Sequence, residues 1–247
     1  MPGASFDRVA DHYDQSRGGE RRGRAFATAL EPWIIAERVA ELGIGTGAVA
    51  VGLHERGFRV AGFDLSAAML TAAVERTGPR VAVADIDGLP VPDDAVDTAV
   101  LVWVLQLVDD PRASLCEAAR AVRPGGRVLA ILAEPENDPD DEIAAILDDL
   151  APLRRPGRGL DPLLAVVPPM LRPIHQSHAP WQEFESTPAE QVRLVERRGY
   201  STLFDVGDDD WQRVVEPVLE RLRALPDQDR PRRRRNRHPL VVWEVTS

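Results

Sequence analysis

The stretch Glu41-Leu42-Gly43-Ile44-Gly45-Thr46-Gly47 decides the fold of this chain. Residues 38–42, which lead into the glycines, predict a short strand, and residues 46–56 predict a helix. Glycines at alternate positions let the backbone turn tightly and let a ligand lie against the main chain with no Cβ in the way. The stretch therefore predicts a ligand-binding turn at the carboxyl end of a strand, where open α/β sheets hold their ligands.

Strands and helices alternate through the rest of the chain. Further strands are predicted at 58–63, 80–84, 95–102, 127–133, 181–186 and 238–245. Further helices are predicted at 67–76, capped by Ser66, and at 114–122, 188–198 and 208–225. This order predicts a doubly wound α/β fold. Its sheet is a mostly parallel, seven-stranded, Rossmann-like sheet with N-terminal helices and a helical lid after strand five.

The length of 247 residues suits a single α/β domain. Changes along the sequence in the predicted pattern of strands, helices and loops divide it into four parts. We predict one domain over 1–247, made of an N-terminal helical cover at 1–36, a cofactor-binding core at 37–133, a lid insertion at 134–180, and C-terminal strands and helices at 181–247.

Composition narrows the class of partner. The formal net charge of −10 argues against a general nucleic-acid binder, because phosphate contact favours clustered cations. One such cluster, Arg232 to Arg235 with Arg237, is interpreted as a solvated loop, with an anionic-ligand or nucleic-acid site as the alternative. No signal peptide is expected, because the first residues carry acids early and form no apolar stretch, and no apolar run is long enough to cross a bilayer. The single cysteine and the lack of zinc-ligand spacing leave a cytoplasmic enzyme without a metal as the expectation.

The glycine turn alone leaves two nucleotide cofactors open. Gly43, Gly45 and Ala48 also satisfy the dinucleotide-binding fingerprint, and Asp64 fits the acid that binds the ribose of either cofactor. Three further features go beyond the dinucleotide fingerprint and distinguish between the two cofactors. They are the third glycine with Glu41 ahead of it, the pair Asp85-Ile86 after the third strand, and the turn Arg-Pro-Gly-Gly before the fifth.

With these features the chain resembles the class I S-adenosylmethionine-dependent methyltransferases, in particular the group similar to the ubiquinone/menaquinone biosynthesis enzymes. The stretches that carry the resemblance are FDRVADHYD (6–14), ELGIGTG (41–47), FDLSAAML (63–70), ADIDGLPVPDDAVD (84–97) and EAARAVRPGGRVL (117–129). They cover about residues 5–133. The remainder resembles the family only in layout, with a seventh strand expected to lie antiparallel at the sheet edge.

The resemblance implies that S-adenosylmethionine is the cofactor and assigns residues to its parts. The backbone at Gly43, Gly45 and Gly47 would face the methionine part. Glu41 would receive the amino group, and Arg17 would meet the carboxylate. An acid next to a buried strand is costly unless it has a partner, which makes Glu41 hard to explain otherwise.

The adenosine part is assigned in the same way. Asp64 would bind the ribose hydroxyls, with helix capping as its alternative role, and Asp85 would hold the adenine amine. The other expected contacts are apolar or aromatic: Leu65 and Met69 flanking the adenine, Ile86 covering its face, Val102 near the sulfonium, and Tyr13 closing over the cofactor. Plain packing is the alternative for Met69 and Tyr13, and a surface position is the alternative for Arg17.

The implied reaction is in-line transfer of a methyl group to a small-molecule acceptor through an O, N or C nucleophile, by a monomer or homodimer. Positioning supplies much of the acceleration, and a protonated acceptor also needs a base. His178 and His12 are the candidate bases, although a surface or packing role is the alternative for each. Relatives often carry histidines where this chain has Trp103 and Gln106, which puts a base at that place in doubt. Trp103 could stack a planar acceptor, with core packing as its alternative role, and Gln106 could orient an acceptor by hydrogen bonding.

Two rival functions remain at this point. A non-catalytic S-adenosylmethionine-binding protein would explain the lack of an obvious base. An NAD(P)-dependent oxidoreductase would explain the glycine turn, but the chain has no Tyr-x-x-x-Lys pair.

Overall fold

The computed structural model describes residues 6–7, 14, 18–157 and 159–247. Over these residues the strands are β1 Arg38–Leu42, β2 Arg59–Asp64, β3 Val81–Val83, β4 Val96–Val102, β5 Val122–Ile131, β6 Glu136–Asn137, β7 Leu171–His178, β8 Gln182–Ser186, β9 Arg232–Arg237 and β10 Pro239–Val245. The helices are α1 Gly19–Leu30, α2 Ala48–His54, α3 Ala67–Thr77, α4 Pro111–Ala121, α5 Glu142–Leu147, α6 Leu160–Val166, α7 Pro188–Glu196, α8 Asp208–Asp210 and α9 Glu216–Ala224. A π-helical turn, Trp211–Val215, joins the last two.

In the described part of the chain, seven strands form the main sheet in the order β3-β2-β1-β4-β5-β10-β7. β1 pairs in parallel with β2 and β4, and β4 pairs in parallel with β5, which confirms the predicted α/β fold. Successive residues of a strand pack into two different hydrophobic cores. Leu42 and Leu101 lie in one core, and Val39 and Val100 lie in the other. Both faces of the sheet are therefore covered, as an almost unbroken apolar strand predicts.

Helix α1 packs closely against α2, the helix that follows the glycine turn. A Cβ on Gly23 would lie 2.1 Å from the backbone oxygen of Ala48, and a Cβ on Gly52 would lie 2.7 Å from the Cβ of Ala27. The missing side chains at these two glycines allow the helices to touch. This contact fixes the neighbour of Gly23, Arg22, beside the glycine turn.

The Arg-Pro-Gly-Gly turn lies inside a strand, which corrects the predicted start of strand five at 127. Val122 pairs with Val96 and Arg127 with Thr98, so residues 123–126 bulge opposite Asp97. Hydrogen bonds from Arg38 and Arg123 lower the pKa of buried Asp97 to about 2. This acid holds the amino ends of β1 and β4 together, away from the carboxyl ends that form the predicted site.

The last two strands of the main sheet differ from the prediction. β10 is antiparallel as expected, but it lies between β5 and β7, so the edge strand is β7, Leu171–His178, which was assigned to the lid. The predicted sixth strand exists as β8 but belongs to a second, three-stranded sheet, β6-β9-β8. β7 escaped prediction because its polar and proline-containing sequence is typical of an edge strand.

The chain divides into two compact units. The first comprises residues 1–135, 157–180 and 238–247, and the second comprises 136–156 and 181–237. The segment 134–180, predicted as one lid, is shared between the units, and its function as a lid stays a prediction. None of the helices in the described ranges is long and apolar enough to span a membrane.

The arginine run is a strand of the second unit and not a solvated loop, which corrects that interpretation. Arg234 is buried and donates to Asp141 at 2.7 Å. The other arginines of β9 pair with acids as well: Arg232 with Glu142, Arg233 with Glu183, Arg235 with Asp138, and Arg237 with Glu136. Because each cation meets a carboxylate, the run supports the sheet and gives no sign of an anionic-ligand site.

Candidate functional site

Two cavities lie at the carboxyl ends of β1, β2 and β4, and both are within the first unit. The smaller has a volume of about 70 Å³ and the larger of about 180 Å³. Gly43, Gly45, Val102 and Trp103 line both cavities. The two cavities therefore meet where the glycine turn faces the end of β4.

The smaller cavity contains a buried carboxyl group. Glu41 is only 2% exposed, and its Oε2 atom accepts no hydrogen bond from the residues that the structure describes. Burial, with a smaller contribution from the charge of Asp64, raises the pKa of Glu41 to about 8. Arg22 and Asp14 line the same cavity. A buried acid and a guanidinium group in one small cavity suit the ammonium and carboxylate groups of an amino acid.

The three predicted glycines have different roles. Gly43 and Gly45 line the cavities and have left-handed backbone, with φ of 73° and 55°. A Cβ on Gly45 would have no atom within 4 Å, so it would project into open space, whereas a Cβ on Gly43 would collide with Val104 at 2.6 Å. Gly47 lines neither cavity; it caps α2, and a Cβ there would come within 3.2 Å of Ala73. The cradle for a ligand is therefore at Gly45.

Asp64 joins the glycine turn to the larger cavity. Its Oδ2 atom accepts from the backbone N–H of Gly45 at 2.9 Å, and its Oδ1 accepts from that of Ser66 at 2.8 Å. Burial raises the pKa of Asp64, while hydrogen bonds from Ser66 and Gly45 oppose the rise. The cap of α3 is Ser66 itself, whose Oγ accepts from Met69. Each carboxylate oxygen keeps a second lone pair, which suits a pair of ribose hydroxyls.

The predicted adenine contacts come together in the larger cavity. Its lining includes Leu65, Met69, Asp85 and Ile86. Leu65 is 45% exposed although it is apolar, whereas Met69 and Ile86 are buried. Asp85 is fixed by a hydrogen bond from the backbone N–H of Asp87, at 3.0 Å. An exposed leucine that shares a cavity with buried apolar side chains suits a flat ring bound among them.

The N-terminal segment reaches both cavities through residues that sequence reasoning did not select. Asp14 accepts from Thr46 Oγ1 at 2.8 Å and pairs with Arg76, and Asp7 accepts from Ser66 Oγ at 2.5 Å. Phe6 lines the larger cavity. The seven-residue spacing of the two aspartates was the available signal. The predicted site residues Tyr13, Arg17 and His12 lie outside the described residues.

The histidine expected to act as a base does not line either cavity. His178 ends β7 and is exposed. His175 stacks on Trp33 with ring centroids 4.0 Å apart. His238 is buried, and its Nδ1 lies 3.0 Å from the backbone oxygen of Leu132. A catalytic role for His178 stays a prediction that this arrangement does not favour.

Trp103 and Gln106 shape the site after β4. Trp103 packs against Phe26 with ring centroids 5.2 Å apart, which favours its packing role over stacking on an acceptor. The Gln106 side-chain amide donates to the backbone oxygen of Trp103 at 2.5 Å, so Gln106 holds this turn. Arg22 is the further residue that was missed, because only tertiary contact brings α1 to the glycine turn.

Comparison with known proteins agrees with this geometry. The family described as "Methyltransferase domain" matches residues 40–130. The demethylmenaquinone methyltransferase of Clavibacter sepedonicus is 30% identical over 190 residues, which cover 73% of this chain and 71% of that protein. The malonyl-[acyl-carrier protein] O-methyltransferase of Serratia marcescens is 32% identical over 127 residues, 51% of this chain, and the matched region spans only half of that protein.

A solved structure shows the same fold. A possible histamine N-methyltransferase from Thermotoga maritima has a TM-score of 0.56 at 16% identity and covers all of both chains. The predicted family, fold class and cofactor are confirmed. The chain therefore belongs to the class I S-adenosylmethionine-dependent methyltransferases, the enzymes that transfer the methyl group of this cofactor.

Proposed function

We propose that this chain binds S-adenosylmethionine across both cavities and methylates a small, largely apolar acceptor at their junction. The observation that carries the proposal is the shared wall of Gly43, Gly45, Val102 and Trp103. It lies between a small cavity whose lining has charges of both signs and a larger cavity in which the charged groups are all carboxylates, beside apolar side chains. The methionine end of the cofactor has charged groups, and its adenosine end is a flat ring on a diol. The cofactor therefore matches the division of the site.

The methionine end lies in the smaller cavity under this proposal. The ammonium group approaches the Oε2 atom of Glu41, which has no other partner in the described residues. The carboxylate meets Arg22 from the other wall. An ion pair formed in a small buried site excludes water and holds the amino acid in one orientation.

The adenosine end lies in the larger cavity. Asp64 accepts from the ribose hydroxyls, Asp85 accepts from the adenine amine, and Leu65 and Ile86 cover the two faces of the ring. Asp64 also holds the N–H of Gly45, so the same carboxylate fixes the turn and the ribose. The sulfonium then lies near Val102 and Trp103, where both cavities meet.

The bound cofactor supplies a methyl group that is already activated for in-line displacement. The chain contributes position and exclusion of water, because the four residues that line both cavities carry no titratable side chain. Such a junction suits an acceptor that ionises by itself, such as an acidic aromatic hydroxyl or its conjugated carbon. Val104, Leu107 and Val108 extend an apolar wall beyond the adenine contacts.

The names of relatives support an apolar acceptor without fixing it. The relative from Clavibacter is a demethylmenaquinone methyltransferase. A solved structure with a TM-score of 0.53 and 18% identity is a geranyl diphosphate methyltransferase in complex with GPP and sinefungin. The proposal also includes that the acceptor is a small molecule and not a nucleic acid. It further includes that the enzyme works as a monomer or a homodimer.

Asp64→Ala tests the proposal by titration calorimetry with S-adenosylhomocysteine. We expect micromolar binding by the unmodified chain and a loss of at least ~10-fold in the variant, because charge-assisted hydrogen bonds contribute ~1.5–3 kcal/mol. Asp93→Ala is the matched control, since Asp93 pairs with Arg120 and lines neither cavity. Unchanged affinity in Asp64→Ala, or binding of NAD in place of S-adenosylhomocysteine, would overturn the proposal.

A further inference from the structure

We propose that Trp103 is a positioning residue that holds the guanidinium group of Arg22 against the amino-acid end of the cofactor. This inference rests on the proposed function, in which Arg22 binds the carboxylate. The inference adds that the ring of Trp103, which lies in a strained turn, fixes the position of the Arg22 guanidinium group.

The backbone of Trp103 is strained and fixed from both sides. Its φ is 55°, in the left-handed region that a bulky side chain rarely adopts. Its N–H donates to the backbone oxygen of Ile131 at 2.9 Å, and its oxygen accepts from Gln106 at 2.5 Å. Backbone of this kind is costly and persists only where its surroundings enforce it, most often at functional sites.

The ring of Trp103 is fixed as well. Phe26 meets it edge-on at 5.2 Å with an interplanar angle of 80°, and His238 lies 4.9 Å away at 59°. His238 is itself held by the backbone oxygen of Leu132. Because the neighbours come from α1 and from the residue just before β10, the indole cannot turn without disturbing two parts of the chain.

Arg22 rests on this fixed ring. Its Cζ atom lies 5.2 Å from the centroid of the Trp103 ring, and both residues line the smaller cavity with Glu41. A cation over an indole face is stabilised by the quadrupole of the ring, and more strongly where water is excluded. The close contact of Gly23 with Ala48 brings Arg22 within reach of the ring.

An aromatic platform suits a guanidinium that must bind a carboxylate. Stacking uses the face of the planar group, whereas hydrogen bonds to a carboxylate use the N–H donors in its plane. An acidic residue in place of Trp103 would itself bind those N–H donors and compete with the carboxylate of the ligand. Trp103 therefore reduces the conformational freedom of Arg22 before the ligand arrives, which increases affinity through preorganisation.

The test compares two ligands in four variants by titration calorimetry. The ligands are S-adenosylhomocysteine and 5′-methylthioadenosine, which lacks the amino-acid end. The variants are Trp103→Leu, Trp103→Phe, Arg22→Met and the double variant Trp103→Leu/Arg22→Met. We expect Trp103→Leu to weaken S-adenosylhomocysteine ~3–10-fold and 5′-methylthioadenosine less than ~2-fold, and Trp103→Phe to restore most of the affinity because it keeps a ring face.

The double variant separates positioning from plain packing. If Trp103 acts through Arg22, then Trp103→Leu adds less than ~2-fold once Arg22 is methionine. Additive losses in the double variant, or equal losses for both ligands, would overturn the inference. Arg22→Met without effect on S-adenosylhomocysteine would instead contradict the proposed place of the carboxylate. Melting temperatures identify any variant that folds poorly. If Trp103→Leu does not fold, the two ligands are compared in Trp103→Phe, which is the less disruptive change.

Discussion

Gly45→Ala is expected to lower the affinity for S-adenosylhomocysteine at least ~100-fold, the largest effect of any single methyl group in this chain. A Cβ at this position meets no protein atom within 4 Å, so it would project from the wall that both cavities share into the space that the cofactor is proposed to occupy. The backbone N–H of Gly45 also donates to Asp64, and a shift of the turn would misplace the ribose-binding carboxylate.

Gly57→Ala is the matched control for this change. Gly57 also has left-handed backbone, with φ of 88°, and its added Cβ would again meet no atom within 4 Å. Both variants therefore pay a similar strain of ~1 kcal/mol, and their melting temperatures should fall alike. Only Gly45 lines the cavities. Equal affinities in the two variants, measured by titration calorimetry, would contradict the placement of the cofactor against Gly45.

Glu41→Gln is expected to change affinity and stability in opposite directions. The variant should lose ~10–100-fold in affinity for S-adenosylhomocysteine, because an amide cannot pair with the ammonium group as an ion. At pH 8 it should melt at least ~4 °C higher than the unmodified chain, because it no longer buries an acid that is losing its proton. A calorimetric scan at pH 5 and pH 8 measures the second effect.

The direction of the pH dependence follows from the raised pKa. Glu41 has a pKa of about 8 in the folded chain against an ordinary 4.5, so the folded state keeps a proton that the unfolded chain releases in this window. The free energy of unfolding therefore falls as pH rises from 4.5 to 8, and the glutamine variant lacks this decline. Parallel pH profiles of the two proteins would contradict the assignment.

Ligand binding should also release a proton. Below pH 8 the free chain carries protonated Glu41, and pairing with an ammonium group favours the carboxylate. Titrations at pH 7 in buffers of different ionisation enthalpy should differ for the unmodified chain and agree for Glu41→Gln.

The central part of the fold was accessible from the sequence because its signals are local. Strand 38–42 and the cap of α3 at Ser66 were predicted as they occur. A buried parallel strand needs apolar residues on both faces, and a cap needs one side chain at a defined position. Asp64 and the pair Asp85-Ile86 could be selected because each lies at the end of a predicted strand, and parallel strands end at a common edge of the sheet.

The features that escaped prediction depend on residues far apart in the chain. β9 forms because its five arginines pair with acids from two segments that are distant in the sequence. The sequence shows the arginines and the acids separately and does not show that they pair. Arg22 reaches the glycine turn only because Gly23 allows α1 to touch Ala48. The left-handed backbone of Trp103 is imposed by Ile131 and Gln106, and no local propensity indicates it.

A crystal structure of the chain with S-adenosylhomocysteine tests the central claim most directly. The account predicts the amino-acid end between Glu41 and Arg22, the ribose hydroxyls on Asp64, and the adenine between Leu65 and Ile86. A ligand with its adenine in the smaller cavity, or one bound away from Gly45, would contradict it.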